Sequence, residues 1–152
     1  MIPNGDRDHY WLNRCATGSV NSDDPRTQVG CVIVGADGEM QSEGWNSLAQ
    51  GVQRIPIRLQ SPEKYLWIEH AERNAIYSAA RRGVALKGGV IYAQLMPCAD
   101  CARAIIQAGI TEVVLSADAS DAYDNPHYRE HHAAAAAMLS EAGVTLRRLR
   151  RE

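Results

Sequence analysis

A chain of 152 residues with 45% hydrophobic and 22% charged residues is long enough to bury one substantial core, and it predicts a single domain over 1–152. Its formal net charge of −2 argues against a nonspecific polyanion binder, because affinity for phosphate backbones comes mostly from accumulated Lys and Arg. No apolar run approaches the roughly 20 residues that span a bilayer, and the opening Met1-Ile2-Pro3-Asn4-Gly5-Asp6 lacks the basic-then-apolar pattern of a signal peptide. The expectation is a cytoplasmic protein that takes a small-molecule substrate, touches no membrane and does not bind nucleic acid.

Asp6 to Ser19 predicts a first helix, with Tyr10, Leu12, Cys15 and Ala16 as candidate buried positions. Asp23-Asp24-Pro25 interrupts the chain before Val29 to Gly35, a β-branched run that suits a buried strand. Asp37-Gly38 is a hairpin turn signal, so Glu39 to Trp45 is expected to return antiparallel to it. From Asn46 to Trp67 the periodicity is weak and Pro56 and Pro62 punctuate it, which predicts a long loop over the site. Helix then alternates with strand: helices over Glu69–Arg82, Cys98–Ala108 and Arg129–Ala142, strands over Val90–Gln94, Glu112–Ser116 and Val144–Arg148. Each helix is followed by a glycine (Gly83, Gly109, Gly143), the usual stop signal. A hairpin followed by this alternation predicts an α/β protein, a mixed sheet with helices on its faces. Arg147, Arg148, Arg150 and Arg151 form the one basic cluster, which reads as a solvated strand end, with a phosphate or partner contact as the alternative.

Two short motifs carry the chemistry. His70-Ala71-Glu72 and Pro97-Cys98-Ala99-Asp100-Cys101 together supply one imidazole, two thiols and a carboxylate. Structural zinc sites are closed by four protein ligands, whereas catalytic ones keep a position open for water. His70, Cys98 and Cys101 make three ligands for Zn2+, and Glu72 is left free to carry protons. The spacing of Cys98 and Cys101 puts both sulfurs on one helical face. Both motifs fall at predicted helix starts, where unpaired N–H groups and the helix dipole favour thiolate. A structural zinc would need a fourth ligand, for which His9, Cys15, Cys31, His127, His131 and His132 are candidates. A thioredoxin-type redox pair leaves His70 and Glu72 without a purpose.

The H-x-E and P-C-x-x-C pair is the signature of zinc deaminases, and the chain resembles the cytidine and deoxycytidylate deaminase superfamily nearly end to end. Asp24-Pro25-Arg26-Thr27-Gln28-Val29-Gly30, Gly44-Trp45-Asn46, His70 to Ile76, Pro97 to Ile110 and Ala142-Gly143-Val144-Thr145 are most similar to its deoxycytidylate branch. The chain departs from that branch at Ser47-Leu48-Ala49-Gln50, where a second glycine and a proline are missing. The resemblance implies a three-layer α/β/α fold around a five-stranded mixed sheet, zinc at the ends of two helices, and assembly into a homo-oligomer. It also implies that Asn46 hydrogen-bonds the sugar near its 3′-hydroxyl, that the Ala71 N–H anchors the pyrimidine carbonyl, and that Arg26 meets a 5′-phosphate. Without it, Asn46 and Arg26 read as turn residues. The expected reaction is conversion of dCMP to dUMP and ammonia. Deamination of a free base or nucleoside, tRNA editing and a noncatalytic zinc-binding module are the alternatives. Tyr65 or Trp67 could stack on a base or simply pack the loop, and Glu69 could orient the site or only cap a helix.

Overall fold

The computed structural model describes residues 4–151. The elements in chain order are α1 (Asn4–Ser19), β1 (Gly30–Val34), β2 (Met40–Trp45), β3 (Ser47–Leu48), a 3-10 turn (Pro56–Leu59), α2 (Lys64–Trp67), β4 (Ile68–Glu69), α3 (Ala71–Arg82), β5 (Val90–Ala93), α4 (Ala99–Gln107), β6 (Glu112–Ser116), α5 (Ala117–Ala122), a second 3-10 turn (Pro126–Tyr128), α6 (Arg129–Glu141) and β7 (Thr145–Leu149). Five strands form one mixed sheet in the order β2-β1-β5-β6-β7. β1 runs antiparallel to both β2 and β5, whereas β5, β6 and β7 are parallel.

Alternation along the strands divides the core into two layers. Cys31, Ile33, Ile91, Ala93, Val113 and Leu115 pack with Ala71, Ala75, Ala102, Ile105 and Leu139 from α3, α4 and α6. Val32, Val34, Tyr92 and Val114 face the other way, against Cys15, Trp11 and Leu12 of α1. β1 is therefore buried on both faces, as its unbroken apolar run predicts. Tyr10 departs from expectation: it is exposed, and Trp11 takes the inward position instead.

The stretch expected to be a loop after Asn46 carries structure of its own. Its start pairs with its end, Ser47 opposite Glu69 and Leu48 opposite Ile68, in a separate two-stranded sheet. Glu69 is thus a strand residue, and the following helix starts two residues later than its sequence suggests. Periodicity missed this pairing because each strand is only two residues long. The C-terminal arginines are tied down by acids. Arg147 holds Asp8 at 2.8 Å and pairs with Glu112, and Arg148 and Arg150 pair with Asp121. Tyr92 donates to the same Asp8 at 2.8 Å, so this network fastens α1 to β5 and β7.

Gly44 sets how closely α3 can approach the sheet. A Cβ there would lie 2.5 Å from the Ala71 oxygen and 2.5 Å from the Ala75 nitrogen, both backbone atoms that cannot step aside. Gly44→Ala is expected to cost about 2 kcal/mol or more in unfolding free energy, measured by chemical denaturation, because it overpacks a buried contact.

Candidate active site

His70 and Cys98 occupy equivalent places: each is the extended residue that caps a helix, α3 and α4 respectively. The helix starts are where backbone N–H groups lack intrahelical partners. At α4 the Cys98 sulfur accepts from the Cys101 N–H at 3.4 Å. The two caps converge. His70 Nδ1 lies 3.4 Å from Cys98 Sγ and 3.5 Å from Cys101 Sγ, and all three ligand atoms fall within 4.8 Å of one another. Zinc–sulfur and zinc–nitrogen bonds of about 2.3 and 2.0 Å at tetrahedral angles place N and S roughly 3.5 Å apart. The donor set therefore fits zinc.

No cysteine is disulfide-bonded. Of the six candidates for a fourth ligand, none joins this group. Cys15 and Cys31 are bonded to the carbonyls of Tyr92 and Ala71, and burial pushes both thiols up, Cys15 to about 12. His131 falls in a second, overlapping group with Cys98 and Asp100, where its Nδ1 accepts from the Ala99 N–H. A set of three protein donors is the number a catalytic zinc site uses.

Glu72 is 5% exposed and its Oε2 lies 3.5 Å from Cys101 Sγ. Burial pushes its carboxyl up, with the neighbouring His70 opposing, a direction that would suit a proton carrier. The hydrogen bond from Cys101 pulls the Cys98 thiol down to about 3, against the effect of burial and with help from His70.

Glu69 settles into a positioning contact. Its Oε1 accepts from the His70 N–H at 2.9 Å and from Arg73 Nε at 2.5 Å. Arg73 Nη1 in turn lies 3.7 Å from Cys98 Sγ and 3.7 Å from Asp100. One carboxylate thus ties the His70 backbone to a cation placed beside the Cys98 sulfur.

A pocket opens above these groups, lined by His70, Ala71, Glu72, Cys98 and Asn46 among others. Ala71 begins α3, so its N–H faces no intrahelical acceptor. Asn46 reaches the pocket and also clamps its wall: Oδ1 accepts from the Val29 N–H at 2.9 Å and Nδ2 donates to the Thr27 carbonyl at 2.7 Å. Arg26 is exposed and does not line the pocket, although its neighbours Asp24 and Thr27 do. Tyr65 lines it, stacked on His127 at 4.1 Å, whereas Trp67 lies outside under Arg58.

Several wall residues escaped the sequence reading. Tyr123, Asn125 and Tyr128 come from a stretch with no motif, Lys64 makes a 2.9 Å ion pair with Asp24 across 40 positions, and His132, expected only as a candidate fourth ligand, lines the wall as well. The only sequence signal was the density of His and Tyr in His127-Tyr128-Arg129-Glu130-His131-His132.

The model of the cytidine and deoxycytidylate deaminase zinc-binding region matches residues 6–117. The chain belongs to this family. It is 34% identical over 145 residues to the human protein called deoxycytidylate deaminase, covering 91% of this chain and 77% of that one. ComE operon protein 2 of Bacillus subtilis is 33% identical over 145 residues, covering 90% and 68%. The fold is shared with the dCMP deaminase of cyanophage S-TIM5, solved with dCMP and dUMP, at a TM-score of 0.74 and 21% identity over 98% of this chain and 100% of that one. It is shared too with a diaminohydroxyphosphoribosylaminopyrimidine deaminase/reductase of Thermotoga maritima, at a TM-score of 0.68 and 22% identity over 96% and 37%. The deaminase family fold and zinc-binding region thus agree with the donor set found here.

Cys101→Ser is expected to lower bound zinc from one per chain to well below that, measured by metal analysis of protein whose circular dichroism matches the wild type.

Proposed function

We propose that this chain hydrolytically deaminates deoxycytidylate: water replaces the exocyclic amino group of cytosine, giving dUMP and ammonia. The observation that carries the reading is a buried carboxylate, Glu72, beside a three-ligand donor set at the inner end of a pocket. Its choice of substrate is supported by the 34% identity to deoxycytidylate deaminases over most of the chain.

His70, Cys98 and Cys101 would hold the zinc. When bound, zinc supplies Lewis acidity that lowers the pKa of water and so makes a nucleophile available near neutral pH. Glu72 takes the proton released from the attacking water and delivers it to N3 of the pyrimidine. It then carries the second water proton to the exocyclic nitrogen, which leaves as ammonia as the C4 carbonyl forms. Burial lifts this carboxyl above the ordinary carboxylate range, the direction that favours a group able to give a proton back as well as take one. The Ala71 N–H donates to the pyrimidine carbonyl, and Asn46 contacts the sugar with whatever donor capacity remains after its clamp on Thr27 and Val29. Arg26, exposed between the pocket-lining Asp24 and Thr27, would meet the 5′-phosphate as a bidentate donor.

The C-terminal arginines are engaged by Asp8, Glu112, Asp118 and Asp121, which weighs against a polynucleotide substrate. The described helices include none long and apolar enough to cross a membrane. Four unbridged cysteines fit the reducing cytoplasm, and the exposed alanines of α6 (Ala133, Ala134, Ala136, Ala137) offer a flat face for a second copy in a homo-oligomer.

Ammonia release by zinc-loaded protein should be highest with dCMP among dCMP, CMP, deoxycytidine, cytosine and guanine. Arg26→Ala should lower kcat/KM for dCMP by about 10- to 100-fold, the worth of one charge-assisted contact, and leave deoxycytidine unchanged. Turnover confined to an unphosphorylated compound would contradict the nucleotide reading and leave the hydrolytic chemistry standing.

A further inference from the structure

We propose that Tyr128 is a positioning residue for the metal centre, its hydroxyl oxygen accepting the His70 Nε2–H and thereby fixing which ring nitrogen faces the cysteines. The Tyr128 hydroxyl lies 3.2 Å from His70 Nε2, and the rings meet edge to face, 5.6 Å apart at 71°. On the far side of the same imidazole, Nδ1 is 3.4 Å from Cys98 Sγ and 3.5 Å from Cys101 Sγ. A neutral imidazole carries one N–H and one lone pair. A metal held by the two sulfurs needs the lone pair at Nδ1, so the proton resides on Nε2 and the bond to tyrosine runs from nitrogen to oxygen.

The fold holds Tyr128 for this contact. The 3-10 turn that carries it is capped by the Asn125 side chain, which accepts from the His127 N–H at 3.1 Å. Its ring is packed edge-on to His127 at 4.7 Å and to Tyr65 at 6.0 Å, and it stacks on His132 at 6.1 Å and 15°. With neighbours on these sides, swinging the hydroxyl away from His70 would mean disturbing several rings together.

The partner's chemistry matters as well. Metal-bound histidines commonly donate their second N–H to a carboxylate or carbonyl, which orients the ring and, for a carboxylate, raises its basicity. A phenol oxygen is uncharged. It orients His70 without pushing negative charge onto the imidazole, and so preserves the Lewis acidity on which the proposed reaction draws. The inference rests on His70 being a zinc ligand, and the Tyr128 role is additional to that of Glu72.

The test separates the hydroxyl from the ring. Zinc content of the wild type is measured first, and a protein without stoichiometric zinc overturns both the ligand assignment and this inference. With zinc present, release to a chromogenic chelator should be about tenfold faster or more in Tyr128→Phe, the lower end of what losing such a partner costs. In 15N-labelled zinc-loaded wild type, the His70 Nε2–H should appear as a slowly exchanging proton, and it should exchange faster in Tyr128→Phe. If Tyr128→Phe releases zinc at the wild-type rate while Tyr128→Leu releases it fast, the ring alone matters and the proposal fails. Fast exchange of the His70 Nε2 proton in the wild type overturns it without recourse to any variant.

Discussion

Two helices that begin at one point are the constraint on which the rest of the site depends. α3 and α4 are capped by His70 and Cys98, and their starts bring the His70 imidazole nitrogen within 3.4–3.5 Å of the Cys98 and Cys101 sulfurs. N–H groups without intrahelical carbonyl partners at both starts make that point favourable for thiolate, and the Cys101 N–H already donates to Cys98 Sγ. The convergence in turn depends on packing. β1, buried on both faces, lies between α1 and α3, and Gly44 on the adjoining strand lets the first turn of α3 press onto backbone.

The pocket is assembled around that point by segments with little regular structure. The small β3–β4 sheet draws the chain after Asn46 back on itself, which brings Lys64 and Tyr65 to the wall. The segment after α5 supplies Tyr123, Asn125 and Tyr128 from the other side. Asn125 donates to both Tyr65 and Tyr123, so the two walls are hydrogen-bonded across the opening. Asn46 and Asp24 spend much of their hydrogen-bonding capacity on this framework, with Asp24 Oδ1 accepting from the Arg26 and Thr27 N–H groups. The rigid scaffold and the variable walls thus come from different parts of the chain.

How much of this was legible in the sequence follows the range of the interactions. The convergence of His70, Cys98 and Cys101 beside Glu72 could be read because H-x-E and C-x-x-C are local, and a helix start turns such spacing directly into geometry. Strands β1, β5 and β6 could be read because each centres on a short apolar run with β-branched residues, bounded by turn signals. Tyr128 and the Lys64–Asp24 pair could not, because each joins positions 40 or more residues apart through contacts that no local pattern encodes. Glu69 lies between these cases. It sits beside His70 in sequence, yet its contact depends on strand pairing that turns it toward Arg73. Tyr10 and Trp11 show the limit of a periodicity argument in an amphipathic helix, where a shift of one position exchanges the buried ring for the exposed one.

The central claim is that the donor set serves catalysis and that Glu72 moves the protons. Glu72→Gln tests it most directly, because the amide keeps the shape and removes the transferable charge. With zinc content and dCMP turnover measured on the same preparation, the account predicts unchanged stoichiometric zinc and ammonia release lower by roughly 10²–10⁴-fold, the usual worth of a general acid–base group. Wild-type turnover by zinc-loaded Glu72→Gln protein would contradict it.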